Sequence, residues 1–258
     1  MADRTFLGVA ALCVTAVVTL TACGEGEKAD TKAAGAFSAS ASPATPFEGL
    51  SPAEIAEKSR LVMAKLRSLR VTGSATVEGK EMTVDVAVAG KGNCLGTFGM
   101  GGGTGQVRWY GGYTYTKGDK KFWQESAAGA GVSSQQADAV VGLLAGRWLR
   151  KPAGSTDADD EFPFCDTTAM FTKDQSDSAL KRGADTDVNG TRGVTLTGKD
   201  GAATRTLVVA TDGQPYDLRM SVEGGKEPQT VEFSGFNKPV TLAPPPTKNV
   251  IDMNKLHR

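Results

Sequence analysis

The spacing of apolar residues divides the chain into stretches of different character. Phe6 to Leu20 is continuously uncharged and mostly apolar, and the next 27 or so residues carry Gly, Ala, Ser, Thr and Pro with no large aliphatic side chain until Leu50. From Ser51 the period is helical. Ile55, Val62, Met63, Leu66 and Leu69 share a face with the small Ser59, and Lys58, Arg60, Lys65 and Arg67 lie opposite. Ser51-Pro52-Ala53-Glu54 starts this helix, with Ser as N-cap, Pro in the first turn and Glu at the capping-box position. The period then becomes two. Val71, Gly73, Ala75 and Val77 alternate with polar residues, Gly79-Lys80 turns the chain, and Met82, Val84, Val86 and Val88 alternate again, which predicts a hairpin with one buried face. Further strands are predicted around Cys94, Gly96, Phe98 and Met100, around Val107 and Trp109, and around Tyr113 and Tyr115.

Ser133-x-x-Gln136 opens a second predicted helix through Ala139, Val140, Leu143 and Leu144, followed by a short strand at Trp148 and a short third helix over Phe162–Phe171 that carries Cys165. Strands resume at Val194 and Leu196, at Leu207–Ala210, at Tyr216, Leu218, Met220 and Val222, and at Val231 and Phe233. Asp212-Gly213 and Gly224-Gly225 are the turns between them, and Pro244-Pro245-Pro246 introduces an extended tail. Helix, meander, helices, meander is the layout of an α+β protein with a long, curved antiparallel sheet and helices against one face.

The N-terminal stretch changes the picture of where this domain resides. Arg4 precedes the apolar run, whose fifteen residues would span only ~22 Å as a helix, short of the ~30 Å of a bilayer core. It fits the apolar core of a secretory signal peptide. It ends in Leu20-Thr21-Ala22-Cys23, which resembles the lipobox of bacterial lipoproteins. That resemblance implies cleavage between Ala22 and Cys23 and a diacylglycerol thioether on Cys23, and two acyl chains suffice for stable attachment. Residues 1–22 are then removed, 23–50 form a lipidated tether too poor in apolar residues to fold, and 51–258 form a single domain. The protein is expected on the outer face of the cytoplasmic membrane.

Composition mainly excludes. With 29 basic and 29 acidic residues the net charge of the 258-residue chain is zero, so the basic excess of a nucleic-acid binder is missing. The single histidine, His257, leaves no Ser-His-Asp or Cys-His pair within a domain and no site built on two histidines. Of the four cysteines, Cys13 leaves with the signal peptide and Cys23 takes the lipid. Cys94 and Cys165 remain, and in an exported protein a structural disulfide is the expectation. A redox or metal pair is the alternative, but neither cysteine sits in a Cys-x-x-Cys.

Several motifs carry no chemistry once read in context. The glycine run Gly99–Gly105 has the composition of a phosphate loop, but Gln106-Val107-Arg108-Trp109 after it reads as strand, so a hairpin loop is expected. Ser178-Ala179-Leu180-Lys181 matches Ser-x-x-Lys without its companion motifs. The acidic run Asp157, Asp159, Asp160, Glu161 lacks the spacing of a calcium loop. No catalytic residue, cofactor or metal is expected, and the chain is expected not to be an enzyme.

The lipobox at Cys23, the tether, the capped helix running into Val71-Thr72-Gly73, Trp148 after the second helix, Asp212-Gly213-Gln214-Pro215 and the closing Phe233-Ser234-Gly235-Phe236 together resemble the LolA/LppX-like lipoprotein superfamily. The Cys94/Cys165 pair is similar to that of its high-GC Gram-positive members. The resemblance implies an open antiparallel half-barrel of about nine to eleven strands, with two or three helices packed on its concave face. It also implies a lipid or acyl-chain ligand held between sheet and helices. The candidate lining is Met82, Val84, Val86, Val88, Phe98, Trp109, Leu218, Met220 and Phe233. The alternative is that these side chains fill a solid core and the protein is an envelope interaction or sensory module. A monomer is expected, with the membrane, a lipid and an envelope protein as candidate partners.

Overall fold

The computed structural model describes residues 47–90, 92–153, 165–171 and 180–255. The signal peptide, Cys23, the tether up to residue 46, the acidic run at 157–161, Ser178 and His257 lie outside the described residues.

Helix α1 (Pro52–Met63) begins where the sequence places it: the Ser51 amide and hydroxyl both donate to a Glu54 carboxylate oxygen, at 2.8 and 2.7 Å, and the Glu54 amide donates back to the Ser51 hydroxyl. The chain then enters a meander, β1 (Ser68–Val77), β2 (Lys80–Ala89), β3 (Cys94–Met100), β4 (Gly103–Tyr110) and β5 (Tyr113–Gly118). Two helices follow, α2 (Lys120–Gly129) and α3 (Ser134–Leu144), then β6 (Trp148–Pro152) and the one-turn helix α4 (Thr167–Met170). The second meander is β7 (Lys181–Val188), β8 (Thr191–Asp200), β9 (Ala203–Ala210), β10 (Asp217–Glu223) and β11 (Gln229–Ser234), and β12 (Val250–Asp252) ends the fold.

The twelve strands among the described residues form one sheet in the order β12-β6-β5-β4-β3-β2-β1-β11-β10-β9-β8-β7. Every pairing is antiparallel except β12 with β6, and the sheet does not close, because β12 and β7 remain its edges. This is the expected α+β half-barrel. Its register follows the alternation read from the sequence. Val71 faces Val86, Leu69 faces Val88 and Phe233 faces Val71, so one set of alternate positions forms a continuous inner face. The other set carries ion pairs such as Arg70–Asp85 and Arg219–Glu232, each at 2.6 Å. Small inner residues allow the sheet to bend: a Cβ on Gly73 would lie 2.2 Å from the Thr230 carbonyl oxygen, and one on Gly96 2.2 Å from that of Asp85.

Four elements depart from the sequence expectation. Helix α2 has no strong apolar repeat; it buries Phe122, Trp123 and Ala127, and is started by Asp119, whose carboxylate accepts from the Phe122 amide at 2.7 Å. The predicted helix at 162–171 is, within the described residues, only Thr167–Met170, and Cys165 precedes it. Strand β7 is polar and exposed along most of its length, as suits an edge. The Pro-rich tail ends in β12, which pairs in parallel with β6 through Ile251 and Leu149.

The glycine run has a packing reason beyond its turn. Gly101 and Gly102 make the turn with positive φ, while Gly103 already belongs to β4. A Cβ on Gly103 would lie 2.2 Å from the Phe122 amide nitrogen, and one on Gly118 of β5 2.0 Å from the Phe122 ring. These glycines let the start of α2 sit directly on the inner face.

Candidate ligand cavity

The two halves of the inner face are covered differently. Over β3–β6, α2 and α3 contribute Phe122, Trp123, Val141 and Leu144 to a cluster with Leu149, and Phe98 meets the Phe122 ring edge-on at 4.9 Å. Over β8 and β9, α1 places Ile55 and Ala56 on Val194, Leu196 and Val209. The Ser59 hydroxyl anchors α1, bonded to the Pro215 carbonyl at 2.6 Å and to the Asp217 carboxylate. That helix covers only one end of these strands. Toward the other end lie Gly198, Leu207 and Arg205, and there the inner face is open.

A cavity of about 320 Å³ occupies this place. Its apolar wall is formed by Val71 of β1, Leu207 of β9, Met220 and Val222 of β10, and Val231 and Phe233 of β11. Met170, Phe171 and Leu180 bound it from the helix side. Gly198 of β8 lets the Leu180 side chain settle against the strand, since a Cβ there would meet it at 3.1 Å. The disulfide Cys94–Cys165 (Cα–Cα 5.4 Å) ties the start of the α4 segment to β3. Phe171 is thereby held against Phe233, with ring centroids 5.5 Å apart, and its carbonyl accepts from Arg60 at 3.3 Å. The cavity mouth is polar, with Asp200, Arg205 and Gln229 in its lining, and Arg205 pairs with Asp200 at 2.6 Å.

Of the nine side chains proposed from the sequence to line a ligand site, the structure brings Met220 and Phe233 to this cavity. Val86 and Val88 are buried at 3% and 0% exposure in a central cluster with Leu69, Val71 and the disulfide. Val84, Phe98 and Trp109 pack against that cluster, while Met82 lies opposite Met100 at the β2–β3 pairing. Leu218 differs in face. The register of β10 with β9 slips between Asp217 and Arg219, so the alternation that joins Leu218 to Met220 is broken. Leu218 instead packs outside the sheet with Val188, Val208 and Ala210, beside the stacked rings of Tyr216 and Phe236 (4.1 Å). It lines a second, shallower depression of about 290 Å³ there.

The sequence reading missed Arg205 and Leu207 as lining residues. The signal was present: Arg205, Leu207 and Val209 alternate along β9, and Val209 is fully buried under α1. Arg205 is thus an arginine on the apolar face, flanked by Gly198 on β8 and Val222 on β10.

Among the described residues no group of three or more His, Cys, Asp or Glu side chains is placed to hold a metal ion, and no helix is long and apolar enough to cross a membrane. No family model matches the chain, and no curated protein sequence matches it. Solved structures do. LprF from Mycobacterium bovis is similar with 13% identity and a TM-score of 0.49, over 75% of this chain and 96% of that one. The Mycobacterium tuberculosis lipoprotein LppX is similar with 17% identity and a TM-score of 0.46, over 74% of this chain and 97% of that one.

Proposed function

We propose that this chain is a membrane-anchored, extracytoplasmic lipoprotein that binds a single hydrophobic chain on the inner face of its sheet. The observation that supports binding is the open stretch over β8–β11: an apolar wall from four strands, continuous with the core, left uncovered by α1. At about 320 Å³ it is at the small end of ligand pockets. The ligand is therefore a slender one, such as one acyl chain, and the protein is a carrier or receptor rather than a catalyst. Attachment through Cys23 follows from the Leu20–Cys23 motif and would hold the domain near the bilayer from which such a ligand comes.

The test is native mass spectrometry of residues 47–258 purified from cells, beside uptake of a polyene fatty acid that fluoresces on leaving water. Retained lipid or saturable uptake is expected. No lipid and no uptake would move the assignment to an envelope interaction module with a vacant face. In the full-length protein, Cys23→Ala is expected to shift the chain from the membrane fraction to the medium or to an uncleaved precursor. A cleaved variant that stays in the membrane would refute the lipid anchor.

A further inference from the structure

We infer that the cavity over β8–β11 selects an amphiphile with an anionic head, and that Arg205 is the residue that recognises it; this rests on the proposal that the cavity takes a hydrophobic chain. The argument begins with where the arginine stands. Arg205 is two residues from Leu207 on the same face of β9, between Gly198 and Val222 across the neighbouring strands. On a face otherwise given to Leu196, Leu207, Met220 and Val231, a cation at the open end marks the place where an apolar channel meets water. Gly198 beside it has no side chain, and the Leu180 side chain lies over it, 3.1 Å from where a Cβ would stand, so the arginine sits at the border of an apolar surface.

The present partner of Arg205 is Asp200, three residues before the start of β9 and also in the cavity lining. The pair is close, at 2.6 Å, but both side chains are about half exposed, at 47% and 58%. An ion pair so exposed contributes little, so an incoming anion can replace the aspartate at small cost. The guanidinium would then donate to the head while the chain lies along Leu207, Met220 and Val231. A planar fork of donors suits a carboxylate or a phosphate monoester alike. Of the other polar residues in the lining, Gln229 adds a neutral amide, and Thr206 and Ser221 add hydroxyl-bearing side chains without charge. Lys199 also borders the cavity, but it is one residue out of phase with Gly198 and pairs with Thr204, whose hydroxyl accepts from its ammonium at 2.7 Å, so the register turns it to the outer face. Arg205 is therefore the cation available to a head emerging from the cavity.

A fluorescent polyene fatty acid and its methyl ester share a chain and differ by one charge, and they separate this inference from the one beneath it. The acid is expected to bind about tenfold tighter than the ester, as one charge-assisted bond would supply. Arg205→Gln should abolish that difference, and Asp200→Asn, which frees the guanidinium, should widen it. A single-chain phosphate monoester competing as the acid does would equally support an anion-selective mouth. If acid and ester bind the unmodified protein alike, or if Arg205→Gln weakens both by the same factor, recognition by Arg205 is wrong while the cavity reading stands. If neither probe binds, the cavity reading itself falls and this inference with it. Thermal melts of both variants should match the parent, because the two side chains lie at the surface.

Discussion

The β3–β6 half of the sheet and the β8–β11 half are built from the same alternating pattern, yet one is filled and the other is open. Over β3–β6 the chain supplies two consecutive helices, and the glycines at 103 and 118 allow the Phe122 ring to settle onto the strands themselves. Over β8–β11 it supplies α1, which stops short of the strand ends, and the single turn of α4 held by the disulfide. An apolar inner face is thus a necessary condition for a lipid site and not a sufficient one. What distinguishes the halves is helix coverage.

The comparison can be broken most strongly at its filled end. Phe122→Ala should cost about 3–5 kcal/mol in denaturant unfolding, the usual range for a buried phenylalanine. Leu207→Ala, whose side chain already borders empty space, should cost less than that range. Equal losses would mean that the β8–β11 half is packed as tightly as the other.

A smaller and sharper contrast comes from adding volume. Val86→Trp places an indole where Val86 is 3% exposed and should lose about 1–3 kcal/mol or more through overpacking. Met220→Trp places the same group into the cavity and should leave the melting temperature nearly where it was while abolishing uptake of the fatty-acid probe. A Met220→Trp protein that melts as early as Val86→Trp would show that the cavity has no room to lose.

The smallest effect concerns how the filled half is fastened. Glu125 of α2 bonds Lys121 on its own helix at 2.6 Å and Lys80 at the start of β2 at 2.8 Å. These hydrogen bonds and charges hold its carboxyl down at about 2, against the ordinary 4.5. A depressed carboxylate contributes stability that is present above pH 4.5 and is lost as pH falls through about 2. Carboxyl chemical shifts should therefore give Glu125 a midpoint near 2, and Lys80→Ala should raise it. A normal midpoint in the parent would mean that the tie between α2 and β2 is not made in solution. Over the cavity half, α1 is tied to the sheet by the uncharged Ser59 hydroxyl, bonded to Pro215 and Asp217, and the Arg205–Asp200 ion pair there is exposed.

Much of the fold was legible because the signals are local. The capping box at Ser51 and Glu54, the period of two through Val71 and Val86, and the turn residues each act within a few positions of themselves. Helix α2 was not legible, because Phe122 and Trp123 are adjacent and only Ala127 repeats their face, so no apolar stripe builds up. Strand β7 shows almost no alternation because an edge buries little, and β12 has three residues. Leu218 was misread because a bulge at Asp217–Arg219 leaves no mark in the apolar pattern. The candidate site was legible only in its two members Met220 and Phe233; Arg205, though in phase with Leu207, is an ordinary charged residue until the cavity beside it is seen.

The alternating faces of the sheet and the start of α1 were set by the sequence alone, since each depends on near neighbours; the Cys94–Cys165 disulfide was an expectation from export, and the structure joins the two. Only the tertiary structure decided which part of the inner face stays open. That depends on contacts such as the one between Ser59 and Pro215, 156 residues apart, which sets how far α1 reaches along β8 and β9. No local pattern encodes such a distance, because it is the outcome of every strand between them taking its place in the sheet.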